Sequence, residues 1–293
     1  MASIQGMAAA HGALEQPIIR QITTQDISDA LHAGLEDFKA KPSHYVFMGL
    51  IYPVAGIVLI AWSIGVALLP MIYPLMSGFA LVGPILALGL YEISRRREMG
   101  EDTSWHHAFE VRHSPALPSI IAMSAFLVGL FVAWLVAAQW LYFLSFGDLA
   151  PASFLRFAAD VMEAPGGWAL IIWGNLIGFV FALVALATSI VAFPLMLDRK
   201  VSVAVAIETS LRVTIANPVP VLLWGLVVAI ALLVGMATLL VGLAVIVPIL
   251  GHATWHLYRK LIEPLPVPAQ LRTLKPRSSR IAKTASGKGQ SAA

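Results

Sequence analysis

Four long stretches of the sequence contain no aspartate, glutamate, lysine or arginine, and they limit what the chain can fold into. They cover residues 42–91, 113–147, 164–197 and 213–258 of the 293-residue chain. In water-soluble domains about a quarter of the residues are charged, whereas this chain is 59% hydrophobic and only 12% charged. The sequence therefore predicts an integral membrane protein.

The lengths of these stretches predict six membrane-spanning helices. A helix needs about 20 apolar residues to cross the hydrocarbon core of a bilayer, so the two longest stretches each hold two helices and the two shorter ones hold one each. Pro70 and Pro74 mark the turn between the first two helices, because proline interrupts helical hydrogen bonding. The last two helices are separated by a turn at 235–238. The predicted helices are 46–69, 73–91, 117–144, 168–197, 219–234 and 238–258.

The positions of the basic residues predict how the protein is oriented in the membrane. With six helices, eighteen of the nineteen lysines and arginines fall on one side and only Arg156 falls on the other. Because loops rich in lysine and arginine stay in the cytoplasm, we expect a multi-pass membrane protein with both termini in the cytoplasm. The first 45 residues contain no apolar core of signal-peptide length, so no cleaved leader is expected. The chain has no cysteine, which excludes disulfides and thiolate metal sites.

Two segments of similar sequence predict an internal repeat. GFALVGPILALGLYEISR at 78–95 and GLAVIVPILGHATWHLYR at 242–259 share a glycine, a Pro-Ile-Leu, an aromatic residue and an arginine at matching offsets. Because proline removes a helical hydrogen bond, Pro84 and Pro248 are expected to kink their helices in the same way.

A second similarity links residues 27–42 with residues 203–218, each of which ends in a proline just before a predicted span. The first of them carries an apolar stripe at helical spacing, formed by Ile27, Leu31, Leu35 and Phe38. Such a stripe is typical of an amphipathic helix lying on a membrane surface. Residues 104–115 resemble a third copy. The expected fold is all-α: a bundle of six transmembrane helices arranged as three hairpins, each preceded by a cytoplasmic amphipathic helix.

Composition divides the chain into three parts. Residues 1–25 are predicted to be a disordered N-terminal segment, and residues 26–263 form the membrane domain with its interfacial helices. Residues 264–293 are rich in proline and basic residues and contain no acid, which predicts a disordered tail. Because basic residues near an anionic leaflet are attracted to it, we expect this tail to associate with the membrane and not with nucleic acid.

The segment FPLMLDRKVSVAVAIETSLRVTIANP at 193–218, together with the order of amphipathic helix, basic residue, proline and hairpin, resembles an uncharacterised bacterial integral-membrane family. This family is known as domain of unknown function 2189, and the similarity is expected to cover residues 26–263. Some of its members carry a label as a cytochrome c oxidase component, and the family has no established activity. The resemblance therefore implies an architecture and a location in the bacterial cytoplasmic (inner) membrane, and it implies no mechanism.

Histidines supply the candidate metal ligands. His252 and His256 are four residues apart in the last predicted span and share a helix face, so they are a weak candidate pair for copper or haem. Histidines in the final turns of a span are also typical of a partly hydrated interface, and no metal or cofactor is predicted. The other cluster, His106, His107 and His113, lies in a predicted cytoplasmic connection without an HExxH motif, and a solvated segment is the favoured interpretation.

Two further patterns concern helix packing. Gly174 and Gly178 form a small-xxx-small pattern that lets another helix approach closely, and we expect it to serve packing within this bundle, with a homo-oligomer contact as the alternative. Asn175 and Gln139 are available for hydrogen bonds between helices. Glu92 lies at the end of a span, where we expect the arginines one turn further on to neutralise it.

The functional interpretation is limited by what the sequence lacks. We find no Ser-His, paired-aspartate or zinc constellation, and the predicted spans have no carboxylate or cation near mid-membrane, as an ion-coupled transporter needs. The leading hypothesis is a non-enzymatic accessory or assembly subunit that packs against other membrane proteins, respiratory ones among them. The alternative is a small permease or a protein that binds lipid or another apolar molecule in a cavity.

Overall fold

The structure, a computed structural model, describes residues 16–40, 66–148, 153–238 and 241–264, together with positions 56 and 151. These residues are mainly helical, and among them an isolated bridge between Ile19 and Ile262 is the only β pairing. The α-helices in chain order are α1 Thr24–Ala40, α2 Ile72–Gly78, α3 Gly83–Leu86, α4 Leu88–Glu98, α5 Leu117–Phe146, α6 Phe154–Glu163, α7 Pro165–Ser189, α8 Ala192–Arg199, α9 Val203–Ala216, α10 Pro218–Ala237 and α11 Leu243–Leu261. The 3-10 helices are Val66–Met71, Phe79–Val82 and Trp105–His113.

Four helical stretches of the described residues are long and apolar enough to cross a membrane: Leu69–Glu98, Leu117–Phe146, Pro165–Arg199 and Pro218–Ala237. They correspond to the second to fifth predicted spans. The first predicted span, 46–69, lies almost entirely outside the described residues. The sixth corresponds to α11, which is helical but is not one of the four stretches. The chain is thus an all-helical protein with four candidate spans in its described part, and the arrangement of six spans as three hairpins stays a prediction.

Prolines and exposed apolar side chains explain where the spans begin and what surrounds them. Helices α5, α7 and α10 each have a proline in the first turn, where its missing N–H has no helical partner to lose. Their outward faces carry large apolar side chains, such as Val136, Ile172 and Leu233, that are more than half exposed. A surface of this kind favours contact with lipid over contact with water.

The stretch Leu69–Glu98 is not a uniform helix. Pro84 lies in the first turn of α3, and Ala87 separates α3 from α4. Pro248, its predicted counterpart, lies inside the continuous helix α11. The two prolines therefore have different helical surroundings, and the internal repeat stays a prediction.

Helix α11 has more buried residues than any other helix of the described chain, and it packs against α1 on one side and α4 on another. Small residues allow both contacts. A Cβ atom on Gly34 of α1 would lie 2.6 Å from the backbone nitrogen of Ala253, and one on Gly251 would lie 2.5 Å from Leu90 Cδ1. Lys260, near the end of α11, forms ion pairs with carboxylates near the start of α1, so these two helices run antiparallel.

The buried face of α1 differs slightly from the predicted apolar stripe. Its fully buried residues are Ile27, Ala30, Gly34 and Asp37. Leu31 and Phe38 of the predicted stripe are only partly buried beside this line, because the small residues allow α11 to approach most closely. The location of α1 as an amphipathic helix on a membrane surface stays a prediction. In the structure, apolar residues of α1 pack against α11.

The described part of the N-terminal segment, from residue 16 onward, makes specific contacts with two helices. The side chain of Asn217 accepts a hydrogen bond from the backbone of Ile22 at 2.8 Å and donates one to the carbonyl of Arg20 at 3.1 Å. The backbone nitrogen of Arg20 donates to Leu261 O at 2.8 Å. These bonds satisfy backbone groups of a segment without regular structure, and the disorder of residues 1–25 stays a prediction. Residues 1–15 and 265–293, the latter being almost all of the predicted tail, lie outside the described residues.

Trp134 of α5 connects three parts of the bundle. Its indole nitrogen donates to the carbonyl of Pro74 at 2.9 Å. A Cβ atom on Gly78 would lie 2.6 Å from the ring, and one on Gly178 of α7 would lie 3.0 Å from it. The small-xxx-small pattern therefore contributes to packing within the bundle through Gly178, while a Cβ atom on Gly174 would make an ordinary contact of 3.6 Å with Leu141.

We expect the substitution Gly34→Ala to destabilise the protein by about 1–3 kcal/mol, because the added methyl group overlaps the backbone of α11. The matched control is Gly129→Ala on α5, where a Cβ atom meets nothing within 4 Å and alanine favours the helix. Thermal unfolding in detergent, followed by circular dichroism, measures both. Equal melting temperatures of the two variants would contradict the close contact between α1 and α11.

Candidate functional site

The described part of the chain has two candidate sites: a buried polar network and an apolar cavity. The network joins α1, α4 and α11, near the C-terminal end of α4. The cavity lies between α2, α5, α6 and α7, near the C-terminal end of α5. A cluster of histidines on the 3-10 helix Trp105–His113 is a third feature.

Asp37 is the centre of the polar network. Its side chain is only 7% exposed. The hydroxyl of Ser94 donates a hydrogen bond to Asp37 Oδ2 at 2.7 Å, and His256 Nε2 donates to the same oxygen at 2.9 Å. Arg97 Nε lies 3.4 Å from the other carboxylate oxygen. Three donors from two other helices thus compensate the buried negative charge.

His252 extends this network into the core. Its side chain is fully buried, and its Nδ1 lies 2.6 Å from Ser94 Oγ. Because the Ser94 hydroxyl already donates to Asp37, the proton between Ser94 and His252 belongs to His252 Nδ1. The structure thus joins the predicted pair His252 and His256 through Ser94 and Asp37, with hydrogen bonds from both imidazoles. The pair stays only a weak candidate for metal or haem ligation, as in the sequence analysis.

The combination of serine, histidine and aspartate does not form a hydrolytic triad. In a triad the imidazole lies between the serine hydroxyl and the carboxylate, so that it can accept the hydroxyl proton. Here the hydroxyl of Ser94 lies between His252 and Asp37 and donates to the carboxylate. Ser94 is also only 1% exposed. The arrangement stabilises a buried charge and provides no activated nucleophile.

The ionisation of Asp37 follows from these contacts. Burial alone would raise the pKa of this carboxyl, but the hydrogen bonds from His256 and Ser94 and the nearby imidazoles outweigh burial and hold the pKa below its usual value. Asp37 therefore carries a negative charge at neutral pH.

Further ion pairs lie near the network, at the ends of α4 and α11. Glu92 is buried and pairs with Arg95 Nη2 at 2.7 Å and with Arg96 Nε at 3.0 Å, which confirms the predicted neutralisation at the end of the span. Arg259 of α11 pairs with Glu98 Oε1 at 2.7 Å. The pair of Arg259 with Glu98 joins the ends of α4 and α11, whereas the pairs of Glu92 lie within α4.

The apolar cavity has a volume of about 390 Å³, within the range of small-molecule sites. None of its described lining residues is charged, and most of the wall is aliphatic or aromatic. Tyr73 donates its hydroxyl hydrogen to Asn175 Oδ1 at 2.7 Å, so Asn175 makes a hydrogen bond between helices, as expected, with Tyr73 as its partner. Gly174 also lines the cavity, where the absence of a side chain enlarges it.

The histidines predicted to be solvated lie beside an acid that sequence reasoning missed. Ligand atoms of Asp102, His106 and His107 all lie within 4.8 Å of one another. Hydrogen bonds from the side chain of Ser104 and from His107, together with the backbone of Ser104, outweigh desolvation and lower the pKa of Asp102 to about 2. His113, the third predicted member, is not part of this group.

Sequence reasoning also missed Asp37 and Ser94. Asp37 was one acid among several on a predicted amphipathic helix, and Ser94 lay in the repeat without an assigned role. One signal was available: Asp37 follows Gly34 at helical spacing on the face that also contains Ile27 and Ala30. An acid in line with small and apolar residues indicates a buried partner.

Comparison with known proteins supports the membrane assignment. Residues 72–198 match the model of a family described as "Predicted integral membrane protein (DUF2189)", which confirms the predicted resemblance over a shorter part of the chain than residues 26–263. The matched segment extends from α2 to α8 and includes most of the cavity wall. No curated protein and no solved structure matches the chain.

We expect the substitution Asp37→Asn to lower the free energy of unfolding at pH 7 by about 1.5–3 kcal/mol, because charge-assisted hydrogen bonds are lost. The lowered pKa of Asp37 means that its contribution is present above the unfolded-state value of about 3.9 and is lost as the pH falls through the folded-state value. The difference between wild type and variant should therefore shrink below about pH 4.

Denaturant unfolding in detergent between pH 7 and pH 3 measures this difference. Glu36→Gln is the matched control, because Glu36 is the exposed neighbour of Asp37 on the same helix. A variant Asp37→Asn as stable as Glu36→Gln at pH 7 would show that the network contributes no stability.

Proposed function

Starting from the match of residues 72–198 to this integral-membrane family, we propose that the protein is a non-enzymatic membrane protein that binds an apolar chain between α5, α6 and α7. The observation that carries the proposal is the cavity of about 390 Å³, whose wall is mostly carbon. A lipid acyl chain has the chemistry that this wall accepts. This function corresponds to the alternative in the sequence analysis, and the cavity now favours it.

Selectivity in such a site comes from shape and from its polar rim. Moving an acyl chain from the bilayer into a protein gains little hydrophobic free energy, because lipid tails are as apolar as the side chains that replace them. The fit between the chain and the wall then decides which molecule binds. Tyr73, which is 59% exposed, and its partner Asn175 provide hydrogen-bonding groups for the polar end of an amphiphile.

The composition of the wall supports a binding role over catalysis. The described lining residues include no serine, threonine, histidine, aspartate or glutamate, so no carboxylate, imidazole or aliphatic hydroxyl faces a bound molecule. The buried Ser94 lies in the polar network and is not part of the lining.

A second candidate function is the accessory or assembly subunit. One observation favours it: α9 lies outside the four candidate spans, yet Leu211 and Ile215, four residues apart on this helix, are 40% and 79% exposed. An apolar face of this kind fits a contact with another membrane protein. Such a subunit should migrate with a larger complex after extraction in mild detergent, whereas a binding protein should migrate alone.

We further propose, from the family resemblance, that the protein lies in the bacterial inner membrane and, from the distribution of lysine and arginine, that both termini lie in the cytoplasm. The cavity would then lie near the outer face and the Asp37 network near the inner face. Reporter fusions at the two ends test this orientation, and reporters on opposite faces would contradict it.

Photo-crosslinking tests the binding site. A phospholipid with a diazirine in one acyl chain should label cavity residues of the protein in native membranes, with Tyr73, Tyr142 and Met162 as expected sites found by peptide mass spectrometry. The substitution Gly174→Phe fills the cavity and should reduce this labelling at least about tenfold, since it removes the space that the chain occupies.

Gly129→Phe is the control, because this glycine of α5 faces open space and the substitution leaves the cavity intact. If both variants are labelled like the wild type, or if labelling is confined to the outer faces of α5 and α7, the cavity does not bind a lipid chain.

A further inference from the structure

The 3-10 helix Trp105–His113 and the residues just before it bring three potential metal ligands together. Asp102 Oδ2 lies 3.2 Å from His107 Nε2, and the tilted rings of His106 and His107 have their centroids 4.1 Å apart. All three ligand atoms lie within 4.8 Å of one another. This is the only such group among the residues that the structure describes.

The two ring nitrogens of His107 both face carboxylates, and this arrangement points to a cation. His107 Nδ1 lies 2.5 Å from Glu110 Oε1, and His107 Nε2 lies 3.2 Å from Asp102 Oδ2. A neutral imidazole has one N–H group, and the shorter contact places it on Nδ1. The lone pair of Nε2 would then face a carboxylate oxygen, so the pair requires a second proton or a metal ion between them.

The separation of these two atoms fits a metal ion. Zinc binds histidine nitrogen and carboxylate oxygen at about 2.0–2.2 Å in a tetrahedral arrangement. Two such ligands at the tetrahedral angle are about 3.3 Å apart, close to the observed distance of 3.2 Å. Little movement of Asp102 or His107 would be needed.

We propose that Asp102, His106 and His107 bind a divalent transition-metal ion, with zinc as the best-fitting class, through one carboxylate oxygen and two imidazole nitrogens. Imidazole and carboxylate ligands without cysteine suit zinc and its neighbours in the first transition series. Three protein ligands leave a coordination position for water or for a group from a partner. The site lies outside the cavity and does not depend on the proposed lipid binding.

Outer contacts hold this ligand set in place. Glu110 accepts a hydrogen bond from His107 Nδ1. A carboxylate in this position typically orients a metal-bound histidine. Arg96 binds Glu110 and also pairs with Glu92 of its own helix α4. The hydroxyl of Ser104 lies 2.7 Å from Asp102 Oδ2 and fixes the carboxylate. These contacts connect the proposed site to the end of a candidate span.

Isothermal titration of the full-length protein with zinc chloride tests the proposal. The protein should be purified in detergent through a tag without histidine and stripped with a chelator. We expect one site, weakened at least about tenfold by Asp102→Asn and by His106→Gln, and about 10–100-fold by Glu110→Gln. His113→Gln, on the same 3-10 helix but outside the cluster, should bind zinc like the wild type.

Cobalt provides a second readout, because Co²⁺ at the site should give a visible absorption band that Asp102→Asn removes. Circular dichroism and size-exclusion chromatography show whether each variant is folded, and the exposed positions Asp102, His106 and His113 should tolerate substitution. The proposal is overturned if the wild type binds no zinc, if the double variant Asp102→Asn/His106→Gln binds it with unchanged affinity, or if only His252→Gln or His256→Gln abolishes binding.

Discussion

The contact between α1 and α11 decides where this chain can bury charge. Moving an ionised carboxylate out of water is costly unless donors surround it, and Asp37 receives such donors from α4 and α11. They reach it because Gly34 has no side chain to keep the two helices apart. The compensation of the Asp37 charge therefore depends on the close packing of these helices. The junction of α1, α4 and α11 depends on both.

Much of the fold could be predicted because the signal for a span is local. An uncharged run of sufficient length identified 117–144, 168–197 and 219–234, and the structure places helices there. The character of α11 could not be predicted in this way. Its polar side chains are paired with Asp37, which is 219 positions from His256 in the sequence. Without that partner, His252 and His256 indicated the partly hydrated end of a span. In the structure His252 is fully buried and His256 is paired with Asp37.

The candidate sites were less predictable because they arise from shape. The pattern of Gly174 and Gly178 indicated close packing, but only the position of Trp134 shows that Gly178 makes the tight contact while Gly174 lines a cavity. His106 and His107 were interpreted as solvated because their spacing matches no metal motif. Asp102 lies just before the 3-10 helix that carries these histidines. The short connection at 103–104 brings its carboxylate close to both of them.

The pairing of α1 with α11 has a consequence for biosynthesis. Chains emerge from the ribosome with the N-terminus first, so α1 is made early and the helix that supplies His256 and Lys260 is made almost last. Until then Asp26, Asp29 and Asp37 lack these partners. Placing three unpaired carboxylates in the lipid interior is energetically costly. Helix α1 must therefore stay in the aqueous phase while the spans insert. It reaches its final place only after α11 has been synthesised.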